Sequence, residues 1–140
     1  MKKKIMVDTN ILIYAFDENS IHHKVCYSLV NSNENLYTTY NNLLEFYRVL
    51  TSKAYLKNYS IDLVKQALLF IKQKMIIVYP TEITEIILTD LVNQFTPKSG
   101  QIFDFLILAQ TIENNLDGIY TYNISDFPSN LQISISEPNL

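Results

Sequence analysis

Short apolar runs alternate with segments of helical period along most of this chain, and that alternation restricts the fold more than any other feature. Lys4-Ile5-Met6-Val7 reads as a buried strand. The polar turn Asp8-Thr9-Asn10 stops it, and the apolar stretch Ile11 to Phe16 follows as a helix. Ser20 is placed to cap a second helix running to about Val30, and Leu36-Tyr37-Thr38 is a short strand after the polar Asn31 to Asn35 turn. From Thr39 to Ser52, apolar residues recur at Leu43, Phe46, Tyr47 and Leu50, which is helical spacing. Ser60 begins a further helix to about Lys74, with Leu63, Ala67, Leu68 and Ile71 on one stripe, and Met75 to Tyr79 reads as the next strand. Pro80-Thr81 opens a helix to about Phe95, and Pro97 to Gly100 is a loop. Gln101 to Asn115 is a helix apolar almost all round and therefore expected to be buried. Gly118 to Thr121 and Gln132 to Ile135 supply two last strands.

Strands separated by helices over connections this short imply an α/β fold of three layers, a mostly parallel central sheet of four to five strands flanked by helices. With 140 residues there is material for one core, so a single domain over residues 1–140 is expected. Two helices fall between the second and third strands, from Thr39 to Lys74. That is more than one crossover needs, so part of it either projects as an arm for dimerisation or partner binding, or simply packs.

Composition narrows the function classes. Hydrophobic residues make up 48% of the chain and charged ones 18%, with 2 Gly and 4 Pro, which excludes a disordered or low-complexity protein. The longest uncharged apolar stretches fall far short of the roughly 20 residues of a membrane helix. Asp8 and Asn10 interrupt the apolar segment after Lys2, Lys3 and Lys4, so no signal peptide is read there and cytoplasmic residence is expected. The lone Cys26 forms no internal disulfide, gives no sign of a zinc site and reads as a small buried hydrophobe. A net charge of −3 argues against a protein that coats nucleic acid through a broad basic surface, while an enzyme that grips a phosphodiester through a bound cation is still allowed. The 10 tyrosines and 7 phenylalanines could stack on bases, but their scatter suits packing better.

In open α/β sheets the site lies beyond the carboxyl ends of the strands. Asp8 falls there, after the first strand. It could merely cap the following helix, but Thr9 and Asn10 could do that instead. Asp104 is the one charged residue from Ile102 to Ala109, and a carboxylate in such surroundings is costly to bury unless a cation or several donors meet it. Its plain reading is an acid in the first turn of a helix, favoured by the dipole. Glu45 lies opposite the apolar stripe of its helix and could be solvated, paired with Arg48. Asn123 and Asp126 follow the Ile119-Tyr120 strand, where each could reach a metal or serve only the turn. His22 and His23, at the start of a helix, read as solvated rather than catalytic.

The pieces Ile5 to Asn10, Leu43 to Thr51, Ile102-Phe103-Asp104 and Thr121 to Phe127, in this order and spacing, resemble PIN-domain ribonucleases, in particular the VapC-type toxins of type II toxin–antitoxin systems. The resemblance covers nearly the whole chain. It implies that Asp8, Glu45 and Asp104 bind the metal, with Asp126 as the fourth and most variable acid. Asn123 sits where such sequences carry Asn or Asp, and Thr9 and Asn10 resemble the polar pair that steadies the first acid. It also implies Mg²⁺ or Mn²⁺, RNA cleavage, a homodimer, and a small antitoxin that inserts a peptide into the groove. Independently of resemblance, clustered carboxylates repel and take up protons unless a divalent cation neutralises them, and hard oxygen ligands favour Mg²⁺ or Mn²⁺ over zinc. Two rivals stand beside this reading: a catalytically silent PIN-like binding module, and an aspartyl-phosphate phosphatase. The phosphatase generally needs a second Asp where this chain has Asn10.

Overall fold

A computed structural model describes residues 2–55 and 59–139. Five strands, β1 (Lys4–Val7), β2 (Asn35–Thr39), β3 (Ile76–Val78), β4 (Gly118–Tyr120) and β5 (Ser134–Ser136), form one sheet in the order β3-β2-β1-β4-β5. Every neighbouring pair is parallel. Six helices connect them: α1 (Thr9–Phe16), α2 (His23–Val30), α3 (Tyr40–Leu50), α4 (Ile61–Lys74), α5 (Glu82–Phe95) and α6 (Gln101–Glu113).

The side-chain alternation of β1 builds two cores. Ile5 and Val7 point to one face and pack with residues of α1 to α4, among them Ile11, Cys26, Phe46 and Ile71. Met6 points to the other face and packs with α5 and α6 through Leu91, Phe105 and Leu108. The expected three layers follow from that alternation. Among the described residues no helix is long and apolar enough to cross a membrane.

Hydroxyl caps set half of the helix starts. Thr39, Ser60 and Thr81 each accept a backbone N–H at the N-terminus of α3, α4 and α5. Ser20 does not start α2. Its Oγ accepts the His22 N–H, and the helix begins two residues later than the sequence suggests, at His23. The stripe expected on α4 is also shifted. Leu63 is 54% exposed, and Val64 takes its place beside Ala67 and Ile71 in the core. Tyr47 likewise lies outside the buried stripe of α3, and Phe103 makes α6 less uniformly buried than its composition implies, because it stands 64% exposed.

The described residues of the two-helix insert pack instead of projecting; its residues 56–58 lie outside the described residues. α3 lies against α1, and α4 closes the same core. The Tyr55 hydroxyl donates to Asp17 at 2.5 Å and the Tyr59 hydroxyl to the Phe16 carbonyl at 3.2 Å, tying the chain between α3 and α4 to the end of α1.

Gly118 has a steric duty in β4. It pairs with Ser134 of β5, and a Cβ there would stand 2.6 Å from the Ser134 carbonyl oxygen. Backbone in a paired strand cannot swing aside as a flexible side chain would. Gly118→Ala is therefore expected to destabilise the protein by about 1–3 kcal/mol in urea unfolding; an unchanged midpoint would show that β5 yields freely.

Candidate metal centre and groove

The chain runs outward in both directions from β1, with β2 and β3 on one side and β4 and β5 on the other. The topological switch point is therefore the crevice between β1 and β4. Asp8 ends β1 there, its N–H donating to Tyr120 O at 3.0 Å. It is also the cap of α1. One carboxylate oxygen accepts the Thr9 N–H at 2.8 Å, so capping does not fall to Thr9 or Asn10 as the sequence allowed. The other oxygen accepts the Thr121 hydroxyl at 2.8 Å. A two-oxygen acid thus serves the helix and the site together.

Thr121 is the residue that sequence reasoning missed. Fully buried directly after β4, it also accepts from Asn10 Nδ2 at 3.3 Å and from the Asn123 N–H at 3.0 Å. Asn10 Oδ1 accepts the Tyr122 N–H at 3.3 Å. These bonds stitch the loop carrying Asn123 and Asp126 to the turn carrying Asp8. The available signal was positional, a hydroxyl directly after an apolar strand.

Asn42 does the matching work on the other side. Its Nδ2 donates to Val7 O and Thr38 Oγ1, each at 3.1 Å, and its Oδ1 faces the Thr9 hydroxyl at 3.0 Å. The same hydroxyl reaches Glu45 Oε2 at 3.3 Å. Glu45 is exposed, but its orientation is tied to Thr9 and through Asn42 to the sheet.

Beside these residues opens a groove of about 630 Å³. Glu45 and Arg48 of α3, Phe103 and Asp104 of α6, and Asn123 and Asp126 of the loop after β4 all line it. Arg48 was read only as a partner for Glu45; the fold makes it a groove residue. Asp126 ends a short 3-10 turn, and its carbonyl accepts from Gln101 Nε2 at 3.4 Å, which links this loop to the start of α6.

The electrostatics mark one acidic centre. Burial pushes the Asp104 carboxyl up to about 7, and the charges of Asp8, Asp126 and Glu45 add to the effect. Asp8 is also raised, chiefly by burial, against the lowering effect of the Thr121 hydroxyl and the Thr9 N–H, with Glu45 and Asp126 raising it further. Among the described residues no three Asp, Glu, His or Cys side chains are drawn together tightly enough to hold a metal as they stand. Mutual repulsion accounts for such spacing. The donor set is nevertheless right for a hard divalent cation, because it is all oxygen and carries unneutralised negative charge. Small rotamer changes of exposed Glu45 and half-buried Asp104 and Asp126 would draw it in.

The histidines are more structural than solvated. His22 stacks on Tyr122 with centroids 3.9 Å apart, and His23 Nδ1 lies 2.9 Å from Tyr14 O. Cys26 is buried against the Tyr122 hydroxyl, and burial pushes its thiol up to about 11, so it is inert as expected. At residue 10 the amide of Asn10 has no acidic proton to give a leaving group, which weighs against the phosphatase alternative.

A parallel five-stranded α/β sheet with an acidic groove at its switch point defines the class. A PIN domain family model matches residues 5–127, and the chain belongs to that family. Solved structures share its fold. VapBC2 from Rickettsia felis, bound to a DNA fragment from its promoter, superposes with a TM-score of 0.68 at 19% identity, over 96% of this chain and 98% of that one. DNA-bound VapBC from Salmonella typhimurium gives 0.68 at 18% identity over 98% of each chain. VapC20 from Mycobacterium tuberculosis, a toxin that cleaves the sarcin-ricin loop, gives 0.64 at 14% identity over 88% of this chain and 92% of that one. Among curated protein sequences none matches.

Proposed function

We propose that this chain is a metal-dependent endoribonuclease and the toxin of a toxin–antitoxin pair, acting through the one domain read over residues 1–140. The observation that carries the reading is an acidic cluster in which Glu45, Asp104 and Asp126 line one groove and the charges of Asp8, Glu45 and Asp126 all act on Asp104. Membership of the PIN family and likeness in fold to VapC toxins support it. The cofactor is Mg²⁺ or Mn²⁺. When bound, such an ion supplies charge neutralisation for a phosphodiester and a water acidified enough to attack it.

The chain's own residues supply position. Asp8, fixed by Thr9 and Thr121, and Asp104, fixed in the first turn of α6, would hold the ion; Glu45 is steadied by the Thr9 hydroxyl. Asn10 and Asn123 keep the loop after β4 in register with Asp8. Arg48 offers a positive charge to an RNA phosphate in the groove. A silent binding module would keep the acids without turnover.

The deciding experiment incubates purified protein with generic RNA and either Mg²⁺ or Mn²⁺, with and without excess chelator. Metal-dependent cleavage is expected. Persistent cleavage in chelator would remove the metal from the reaction; release of phosphate from a small ester, without RNA cleavage, would favour the phosphatase; neither activity would leave the binding module. Arg48→Gln should weaken RNA binding and flatten the dependence of log affinity on log salt by about 0.7, the amount for one phosphate contact to a single strand. An unchanged slope would mean that Arg48 meets no phosphate.

We also assign the protein to the cytoplasm, as a homodimer that binds a small antitoxin whose peptide enters the groove. Structures of the same fold include VapBC pairs bound to DNA, in which the toxin is found with its partner. Light scattering at micromolar concentration checks the dimer, and a monomer would refute it.

A further inference from the structure

Two of the ten tyrosines, unremarkable in the sequence, are brought together by strand register. β2 and β3 pair in parallel with Thr39 opposite Val78, so the next residues, Tyr40 and Tyr79, emerge side by side at the carboxyl edge of the sheet. Their rings stack with centroids 5.5 Å apart and planes 27° from parallel. Both remain open to solvent, Tyr40 at 40% and Tyr79 at 55% exposure.

Their place relative to the groove is set by the fold. The carboxyl end of β3 is two strand spacings, about 10 Å, from that of β1, where Asp8 sits. Tyr40, Leu44 and Arg48 follow one another at four-residue steps along α3 and so share a face, and Leu44 and Arg48 line the groove. The groove face of α3 therefore continues one turn further, to Tyr40 and the ring stacked on it.

The protein carries a net charge of −3, and among the described residues Arg48 is the one basic side chain lining a groove that holds three carboxylates. For an RNA substrate, this charge favours contacts to bases over contacts to phosphates. Phosphate contacts alone cannot supply much affinity for a polyanion there. Stacking is neutral, and every base has a face to offer.

Resting on the nuclease reading above, we propose that the Tyr40–Tyr79 pair is a nucleobase-stacking subsite for single-stranded RNA, about one or two nucleotides from the phosphate cut in the acidic groove. Tyr79, the more exposed ring, receives the base, and Tyr40 backs it from α3. The hydroxyls remain in water, so the aromatic faces and not the OH groups do the binding.

Fluorescein-labelled oligouridine binding, followed by anisotropy, tests the subsite without requiring cleavage. Tyr79→Ala should weaken binding about tenfold, while Tyr79→Phe, which keeps the ring, should bind like the unsubstituted protein. An abasic chain of equal length and charge should bind the unsubstituted protein and Tyr79→Ala equally. In cleavage assays the Ala variant should show the same loss as a higher KM with kcat unchanged, and the loss should vanish when the RNA is trimmed to the step that is cut. Equal binding of oligouridine by Tyr79→Ala and the unsubstituted protein would overturn the proposal, as would an equal loss on the abasic chain. So would light scattering that shows Tyr79→Ala changing the oligomeric state, with RNA affinity per protomer unchanged, which would make the pair a protein contact. Tyr79-dependent oligouridine binding by a protein that cuts no RNA would sink the nuclease reading and leave the subsite standing. Cleavage indifferent to Tyr79 would do the reverse.

Discussion

Asp104→Asn is expected to lower RNA cleavage by about a thousandfold or more and, at the same time, to make the metal-free protein more stable at pH 8. The two effects have one cause. Asp104 is half-buried near three other acids, and its carboxyl is pushed up to about 7, against an ordinary value of 3.8. Between those values the folded protein keeps a proton that the unfolded chain releases, so the native state binds more protons. Stability therefore falls as pH rises through this window and levels off above about 7. An asparagine has no such titration and no charge to repel. The gain in melting temperature for Asp104→Asn over the unsubstituted metal-free protein should be near zero at pH 4 and greatest at pH 8. Added Mg²⁺ should raise the melting temperature of the unsubstituted protein more than that of the variant. A variant that kept near-normal activity would remove Asp104 from the metal centre, and a melting difference independent of pH would refute the electrostatic account.

The second large effect separates Asp104 from Asp126. Asp104 stands on the first turn of a helix whose next residues, Phe105, Ile107 and Leu108, are buried, so its backbone cannot adjust. Asp126 ends a short turn in a loop and is held to α6 through a single long bond from Gln101. A carboxylate on the rigid element should bind the ion directly, and one on the loop through a water. Asp126→Ala should then lose about 10- to 100-fold in activity and recover part of it as Mn²⁺ is raised, because the remaining ligands still form a site of lower affinity. Asp104→Ala should not recover. Activity titrated against Mn²⁺ for both variants decides between them: a dead Asp126→Ala beside a rescued Asp104→Ala would invert the ranking.

Much of this architecture was legible in the residues. Strand-like runs separated by capped helices specified a parallel α/β sheet, because short connections leave little topological choice. Ser60 and Thr81 marked the starts of their helices correctly, and Thr39 capped the helix read as beginning there, since a cap is a local bond between neighbours. Where the reading slipped, the deciding contact was distant in sequence. Leu63 and Val64 are equally apolar neighbours on α4, and only packing against the rest of the core chose Val64. The insert from Thr39 to Lys74 could have been an arm until α3 met α1.

The site divides in the same way. Asp8 and Asp104 stood out in the sequence because an acid at a strand end or in apolar surroundings is costly without a purpose, whereas Glu45 and Asp126 joined them through the family resemblance. That Asp8, Glu45 and Asp126 all act on Asp104, and that Asp104 is pushed up to about 7, follows only from strand order, which sets residue 8 beside residue 121 and folds α3 and α6 against the same crevice. Asn42 and the Tyr40–Tyr79 pair carried no local mark, Thr121 only its place after a strand, and Arg48 only its spacing from Glu45. Their significance depends on partners 33 to 113 residues away in the chain for the hydrogen-bonded ones, and on strand register for the tyrosines. Sequence by itself determined the kinds of element and the chemical character of the centre, because propensity, capping and the cost of burying charge act locally. Tertiary structure alone decided which side chains meet, because long-range pairing is set by the collective packing of two cores on one sheet, and no short stretch of chain encodes it.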